Sequence, residues 1–495
     1  MDEAAAGKLS NGVGDAPSSP PSFRMEDLPA EIQTVVMSLL PLKEAVRASI
    51  VSRSWSMLWT FHSNLCFYGP NDPDFERDLH DITVDQYIND LIKIERVKFI
   101  DSVNGIIRRH SGIGINKFSV RCALGLPKED LGHLHRWIAF AASSKASIIE
   151  FNLKKMYLAP KEVHHFPLEA LDVQGNSWLQ SLFLANVSIK LQSGICGFAM
   201  FKRFVLEDVK IFGDFPGLLA SCSTLEDLTI ISCPGLANLS VPHKLDKLQH
   251  LLIERMVVEM IEFHATNLCH FEYRGKVSPI VLHGCSKLEK ATILFHCGKG
   301  LHHAFTVGPS ILPVKILNVQ ASIIKYEELQ KLTLGPHGMF THLRHMTCEL
   351  TVVNASENAD NADNADNGVL QLAYCLDIAP NLETLHVDML HWGFKDNKCD
   401  EVVGEEGSLG HMRRHDHLKT VYISGFRLYK AHTKLACCIL SNASVLEHLK
   451  LEPRFGTIPR LNEGLETTIL EVCKWARLAS ERFGKVITVS DAPSE

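Results

Sequence analysis

The 495-residue sequence predicts an α/β repeat solenoid behind a small helical unit, with a helix closing the far end. Three observations carry this. An apolar triplet, spaced apolar-x-x-apolar-x-apolar, recurs thirteen times between residues 148 and 451. Five successive copies start at 201, 225, 248, 268 and 288, intervals of 24, 23, 20 and 20 residues. Ahead of them, residues 23–66 show helical rather than strand periodicity. A hydrophobic share of 46% against 22% charged residues supplies enough apolar surface for an extended core.

Residues 1–22 carry Gly, Ser, Pro and acidic residues and are expected to be a disordered tail. Pro29 suits a first helical turn, where its missing N–H would be unpaired anyway, and Glu31 complements the positive helix end. Ile32, Val35, Val36, Leu39 and Leu40 then form one apolar helical face, which Pro41 stops. A second short helix runs through Val46 and Ile50, and a third piece carries Trp55, Leu58 and Trp59. Three helices in under about forty residues close a poor core alone. The unit is therefore expected to bury part of its apolar surface on something else. Between Val84 and His110 a longer helix (Tyr87, Leu91, Ile94, Val97) ends before Gly112 and Gly114, so residues 67–115 read as a helical linker.

The triplets follow. They read Ile148-Phe151-Leu153, Leu168-Leu171-Val173, Leu179-Leu182-Leu184, Phe201-Phe204-Leu206, Leu225-Leu228-Ile230, Leu248-Leu251-Ile253 and Leu268-Phe271-Tyr273. The series continues with Leu288-Ala291-Ile293, Val314-Leu317-Val319, Leu343-Met346-Cys348, Leu382-Leu385-Val387, Leu418-Val421-Ile423 and Leu446-Leu449-Leu451. That spacing and period are those of a leucine-rich repeat. Each triplet turns inward from a short strand, the strands stack as a parallel sheet in a horseshoe, and a helix or loop returns outside. Pro216–Ser221, Leu370–Ala379 and Leu435–Ser441 have the helical spacing of such returns. The Asn or Cys that usually follows the strand stands cleanly only at Cys233, so irregular turns are expected. The solenoid is assigned to 116–453, with polar insertions at 354–367 and 393–416. Residues 454–495 are assigned to a helical cap and tail, its helix (462–483) showing Leu465, Ile469, Leu470, Cys473 and Trp475 at helical spacing.

Charge and motifs narrow the function. A net charge of −7 argues against a nucleic-acid partner. No apolar run is long enough for a membrane span, and the acidic start lacks a signal peptide's features. Fourteen scattered cysteines then fit a reduced cytoplasmic or nuclear protein. There is no Gly-x-x-x-x-Gly-Lys-Ser/Thr, Gly-x-Ser-x-Gly, His-Glu-x-x-His or Cys-x-x-Cys. The sequence thus selects no catalytic residue, no metal site and no cofactor. His411, His415 and His417, His164-His165 and His302-His303 read as exposed loop histidines, and Cys437-Cys438 as core filler. The side chains between inward positions, such as Glu226, Thr229, His250, Glu383 and His386, are candidates for binding a client.

Two segments carry a family resemblance. Leu28-Pro29-Ala30-Glu31-Ile32, the run from Leu39-Leu40-Pro41 through Lys43-Glu44-Ala45-Val46-Arg47, and Val51-Ser52-Arg53-Ser54-Trp55 with Leu58-Trp59 resemble the F-box. Ala30 and Ser54 depart mildly, where an acidic and a basic residue are usual. The stretch His417–Phe426 running on to Glu447 is similar to the FBD-type region of plant F-box proteins, assigned here to 410–453. The resemblance implies a non-catalytic, substrate-recognition subunit of a Skp–cullin–F-box ubiquitin ligase. It implies docking on a Skp-type adaptor, and through it cullin and RING subunits, by Leu28, Pro29, Ile32, Val36, Leu40, Val51 and Trp55. An adaptor-bound scaffold without a ubiquitin role is the alternative within the same resemblance.

Overall fold

The computed structural model describes residues 27–51, 55–69, 85–122, 131–153, 163–171, 178–191, 198–295, 308–324, 339–353, 369–392 (371, 374 and 375 apart), 413–453 and 465–490. The expected tail (1–22), the Asn-Ala-Asp insertion (354–367), His302-His303 and most of the second insertion lie outside the described residues. Helix α1 (Ala30–Leu39) starts one residue later than expected. Pro29 is its N-cap, with φ −53° and ψ 146°, and its carbonyl accepts from the N–H groups of Ile32 and Gln33. Helix α2 (Leu42–Val51) follows, and then a 3-10 turn, Leu58–Phe61.

The solenoid begins earlier than the sequence suggests. β1 (Asn64–Tyr68) starts a parallel sheet inside the range assigned to the helical unit. The helix read as a linker, α3 (Asp85–Arg109), is the return element to β2 (Lys117–Arg121). Helix α4 (Leu131–Ser143) likewise returns the chain to β3 (Ile148–Asn152). Buried Asn104 joins the two helices: its Oδ1 accepts from Trp137 Nε1 at 3.0 Å, and its Nδ2 meets His133 Nδ1 at 2.9 Å. The leading positions of the first two turns are His62 and Ile115. A polar residue in the leucine position masks the first, whereas Ile115-Phe118-Val120 follows the template in full.

From β3 onward the chain alternates between a long sheet and short outer strands. β4 (His164–His165), β6 (Val187–Lys190) and β8 (Lys210–Phe212) pair on the return side, between β5 (Ser181–Ala185), β7 (Arg203–Glu207) and β9 (Asp227–Ile231) of the long sheet. β10 (Leu239–Lys244), β12 (Ile261–His264) and β14 (Ile280–His283) repeat this arrangement between β11 (His250–Glu254), β13 (His270–Gly275) and β15 (Lys290–Phe295). The long sheet continues through β16 (Ile316–Ile324), β17 (His345–Val353), β18 (Thr384–Trp392), β19 (Thr420–Ser424), β20 (His448–Glu452) and β21 (Ile487–Val489). Among the described residues it has fifteen strands, every adjacent pair parallel.

Register aligns the triplets laterally. Leu228, Leu251, Phe271, Ala291 and Leu317 form one row, and Ile230, Ile253, Tyr273, Ile293 and Val319 the next, all buried. The leading Leu225, Leu248, Leu268 and Leu288 are buried as well. Two triplets need correction. In β3 the inward pair is Ile149 and Phe151, with Ala146 leading and Ile148 turned outward. Apolar residues at 148, 149, 151 and 153 permitted either phase, and the pleat of the neighbouring strands selects one. Leu168–Leu171 is a 3-10 turn on the return side, not a strand; i,i+3 spacing serves both.

Returns fall where expected at α5 (Phe215–Ser221), capped by Asp214 on the Gly217 N–H at 2.9 Å, and at α6 (Lys430–Asn442). Helix α7 (Leu465–Phe483) covers the last turn with Ile469, Val472, Trp475, Ala476 and Ala479, whereas Leu470 faces solvent. The chain then adds β21, so the cap is a helix and a strand rather than a helix alone.

The turns after the strands are more regular than expected. Asn186, Asp208, Ser232 and Arg255 each follow a strand of the long sheet with φ between 51° and 58°. Each N–H reaches the next strand, Ser232 bonding Glu254 O at 2.8 Å and Asp208 bonding Ile231 O at 2.8 Å. A backbone ladder thus takes the place of a side-chain one.

Two substitutions test this architecture. Leu228→Asp buries an unpartnered carboxylate and is expected to cost several kcal/mol and yield insoluble protein. Asp227→Ala, turned outward beside Arg203 at 3.5 Å, is expected to stay soluble with a nearly unchanged melting temperature. At the left-handed Ser232, Ser232→Val is expected to destabilise by roughly 1–2 kcal/mol, while Ser232→Gly is neutral or stabilising in thermal melts.

Candidate functional site

The helical unit has a small inner core and an apolar outer side. Met37, Ala45 and Trp59 are buried together, with Leu40, Val46, Ala48, Trp55, Leu58 and Ile106 packed around them. Gln33 is the other buried residue of α1, its Nε2 donating to Leu28 O at 2.7 Å. The stripe read from the sequence is therefore turned outward. Ile32 is 46% exposed, Val35 54%, Leu39 79% and, on α2, Ile50 82%. Exposed apolar side chains on one face of a short helix are the kind of surface that marks an interaction site.

The seven residues expected at this surface divide accordingly. Ile32 and Pro29 are exposed, Leu28 and Val36 half-buried. Leu40 and Trp55 are half-buried against the inner cluster and support the surface from behind. Val51 ends α2, and its side chain lies outside the described residues. Val35, Leu39 and Ile50, outside that set, are the most exposed large apolar side chains of α1 and α2. For α1 the signal is the i, i+3 and i, i+4 steps from Ile32 to Val35 to Leu39, and for α2 the i, i+4 step from Val46 to Ile50.

The unit is tied to the first solenoid turns. Leu42 belongs to the solenoid core, and Val46 and Ile106 touch both clusters. His62 Nε2 donates to Leu40 O at 2.8 Å, and its Nδ1 accepts from Asn64 N at 3.1 Å. His110 repeats the pattern, Nε2 to His62 O at 3.0 Å and Nδ1 from Gly112 N at 3.0 Å. Both rings thus satisfy their bonds as neutral Nε2–H tautomers, and burial lowers the pKa of His110, favouring that form.

The second surface is the open face of the long sheet, built from residues that alternate with the inward rows. Thr229 and His250 lie on it, but in different rows: Thr229 aligns with Leu252, and His250 with Asp227. His386 lies between Thr347 and Tyr422, its ring 4.4 Å from the Tyr422 ring at 79°, with Lys450 Nζ 5.4 Å over that tyrosine. Glu226 and Glu383 stand one residue before their strands, at the entry edge, and Arg344 Nε is 3.3 Å from Glu383. The five candidates therefore do not form one cluster.

Charged rows between them were missed. Glu272, Arg274, Lys290, Asn318 and Glu349 line a hollow of about 450 Å³. Arg274 pairs with Glu272 and lies 3.9 Å from Glu254. Glu272, Arg274, Asn318 and Glu349 each follow an inward residue of a triplet and Lys290 precedes one, so the same template contains them. At β2 and β3, Glu150 is buried on this face under Lys117 Nζ (3.0 Å), Arg121 Nε (2.7 Å) and Ser119 Oγ (3.1 Å). Burial pushes its carboxyl up, but Lys117 and Arg121 outweigh that and hold it below the usual carboxylate range.

Nucleophilic chemistry finds little support. Burial pushes the Cys222 and Cys233 thiols up to about 12 and Cys285 and Cys438 up to about 11, disfavouring the thiolate. His415, expected in an exposed loop, is buried instead, its N–H bonded to Asn442 O at 2.9 Å. His417 is exposed, and His411 lies outside the described residues.

Comparison with known proteins matches two stretches of the chain to family models. A profile for the leucine-rich-repeat domain of At1g61320/AtMIF1 matches residues 106–474, and an F-box profile matches residues 25–67. The chain is similar to the F-box/LRR-repeat protein At3g58940 of Arabidopsis thaliana, 26% identical over 224 residues, which cover 41% of this chain and 32% of that protein. It is 24% identical over 446 residues to F-box protein At3g03040 of the same plant, covering 86% of this chain and 89% of the relative. It is also 24% identical over 412 residues to the putative F-box/FBD/LRR-repeat protein At3g59240 of that plant, covering 77% and 71%. The match to At3g58940 thus spans about a third of that relative's length.

The Glu150 cluster makes the stability pH-dependent in a defined direction. A carboxyl whose folded pKa is depressed stabilises fully above its unfolded value, about 4.3, and loses that stabilisation as pH falls through the folded value. Glu150→Gln is expected to lower stability at neutral pH by roughly 1.5–3 kcal/mol. In denaturation curves across pH, the gap between the two proteins is expected to close only below about pH 4.3.

Proposed function

The chain belongs to the At1g61320/AtMIF1 leucine-rich-repeat domain family and carries an F-box, and from that premise we propose that it is the client-recognition subunit of a Skp–cullin–F-box ubiquitin ligase. The observation that supports this most directly is the bare apolar side of α1 and α2, formed by Ile32, Val35, Leu39 and Ile50. The Skp-type adaptor covers it, with Leu28, Pro29 and Val36 at its border and Leu40, Val51 and Trp55 behind. The adaptor brings the cullin and RING subunits, which carry out ubiquitin transfer. This chain contributes binding and position, with no catalytic residue of its own.

The client is a protein held on the open face of the long sheet. Alternating acidic, basic and histidine side chains there favour a polar partner surface of mixed charge. The hollow between Arg274 and Glu349, and a second one of about 490 Å³ lined by Lys117, Arg121, Glu150 and Arg203, offer concave features on that face. No helix among the described residues is long and apolar enough to cross a membrane.

Adaptor binding is the deciding measurement. Burial of one large aliphatic side chain is worth about 1.5–3 kcal/mol, or roughly ten- to a hundredfold in affinity. Leu39→Ala, Ile32→Ala and Leu28→Ala/Pro29→Ala are each expected to weaken adaptor pull-down by that factor, with melting temperature unchanged for the exposed Ile32 and Leu39. Met37→Asp, inside the small core, is expected to lose both binding and folding. Full adaptor binding by Ile32→Ala/Leu39→Ala would displace the docking surface from α1. Client ubiquitination by the reconstituted ligase then tests the remainder of the reading.

A further inference from the structure

The second outer sheet carries the one group of metal-ligating side chains that converges among the described residues. Glu262 and His264 lie two apart on β12, so strand alternation puts both on the side away from Ile261 and Phe263 in the core. Parallel register pairs His264 with His283 of β14. The two imidazole rings stack at 4.2 Å with an interplanar angle of 17°, and His283 Nε2 lies 3.0 Å from Glu262 Oε1. One donor atom from each of the three residues falls within 4.8 Å of the others. Ser240 of β10 donates to the second carboxylate oxygen, Oε2, at 2.5 Å, which fixes the carboxylate with Oε1 toward the histidine. Lys244, the register neighbour of His264 on β10, is exposed and stands outside this set.

We propose that Glu262, His264 and His283 bind one divalent transition-metal ion of the zinc class. Two imidazoles and one carboxylate are the donors such ions take, whereas calcium and magnesium need more oxygen ligands. Ligands at about 2.0–2.1 Å from a tetrahedral ion stand roughly 3.4 Å apart. The Glu262–His283 pair is already this close, and rotation of half-buried side chains closes the remaining separation. Ligation through His283 Nε2 leaves the ring proton on Nδ1. Three protein ligands leave a fourth position open to water or to a donor atom of a partner. Because β12 and β14 belong to consecutive repeats, the ion ties two turns together across the core from the open face. Ser240 acts on it through Glu262, as a positioning residue.

Zinc titration of the full chain, stripped with chelator and followed by calorimetry with zinc alone, tests this. Wild type is expected to bind one more zinc ion per chain, at micromolar affinity or tighter, than His264→Ala/His283→Ala. Glu262→Gln, which keeps the side-chain shape, and Ser240→Ala are each expected to weaken that ion by about ten- to a hundredfold. Cobalt in place of zinc is expected to give the visible absorption of a four-coordinate ion in wild type and to lose it in the double variant. All three ligands lie off the core, and equal melting temperatures without metal verify that the variants fold. Equal zinc stoichiometry in wild type and the folded double variant overturns the proposal, as does an ion retained only at millimolar zinc.

Discussion

Every turn of this solenoid depends on its neighbours for burial. A strand such as β9 contributes Leu228 and Ile230 inward, and a single repeat cannot bury such a face alone. They are removed from water only when β7 supplies Phe204 and Leu206 on one side and β11 supplies Leu251 and Ile253 on the other. Parallel pairing aligns these residues laterally, because a one-residue slip would exchange the inward and outward sets. The hydrophobic term thus fixes register, and register fixes everything displayed on the open face. The two ends are the exception, since a terminal strand has only one neighbour. At one end α7 and β21 cover the last turn; at the other the helical unit packs on β1.

That second contact changes how the F-box unit relates to the repeats. The sequence reads them as separate modules joined by a helical linker. Instead α3 returns between β1 and β2, Leu42 enters the solenoid core, and His62 bridges the end of α1 to the first strand. His110 continues the chain of bonds to the end of α3. A helix trio too small for its own core borrows one from the repeats. This leaves Ile32, Val35, Leu39 and Ile50 on the far side, facing away from the protein that supports them.

Polar groups follow the same geometry. Outward positions of adjacent strands stand about 4.8 Å apart, near enough for ion pairs and ring contacts to run across the sheet. Glu150 under Lys117 and Arg121, and His386 against Tyr422 and Lys450, are the results. On the return side the spacing that stacks Ile261 on Ile280 also stacks His264 on His283. After β5, β7, β9 and β11 a left-handed residue closes the turn with a backbone bond to the next strand, so the side chain there is free to vary among Asn, Asp, Ser and Arg.

The sequence by itself determined the inward residues of most turns, from Leu179 to Leu451, because an apolar-x-x-apolar-x-apolar triplet has one way to satisfy a pleated strand with a buried leading residue. It determined the short apolar helices and the signature of the N-terminal unit, since Pro and helical periodicity act locally. Tertiary structure decided what local pattern left ambiguous. Lateral neighbours set the phase of Ile148–Leu153, and solenoid contacts placed His62 in a leucine position. The outward turn of Ile32, Val35 and Leu39 came from Met37 packing on Ala45 and Trp59 and from the burial of Gln33, bonded to Leu28 O, a choice between two faces of α1 that periodicity could not make. The convergence of Glu262, His264 and His283 needed the strand register as well: two of the ligands are neighbours in sequence, but the third lies nineteen residues beyond His264 and meets them only through the pairing of β12 with β14. Burial has a local pattern in the chain; adjacency across strands does not.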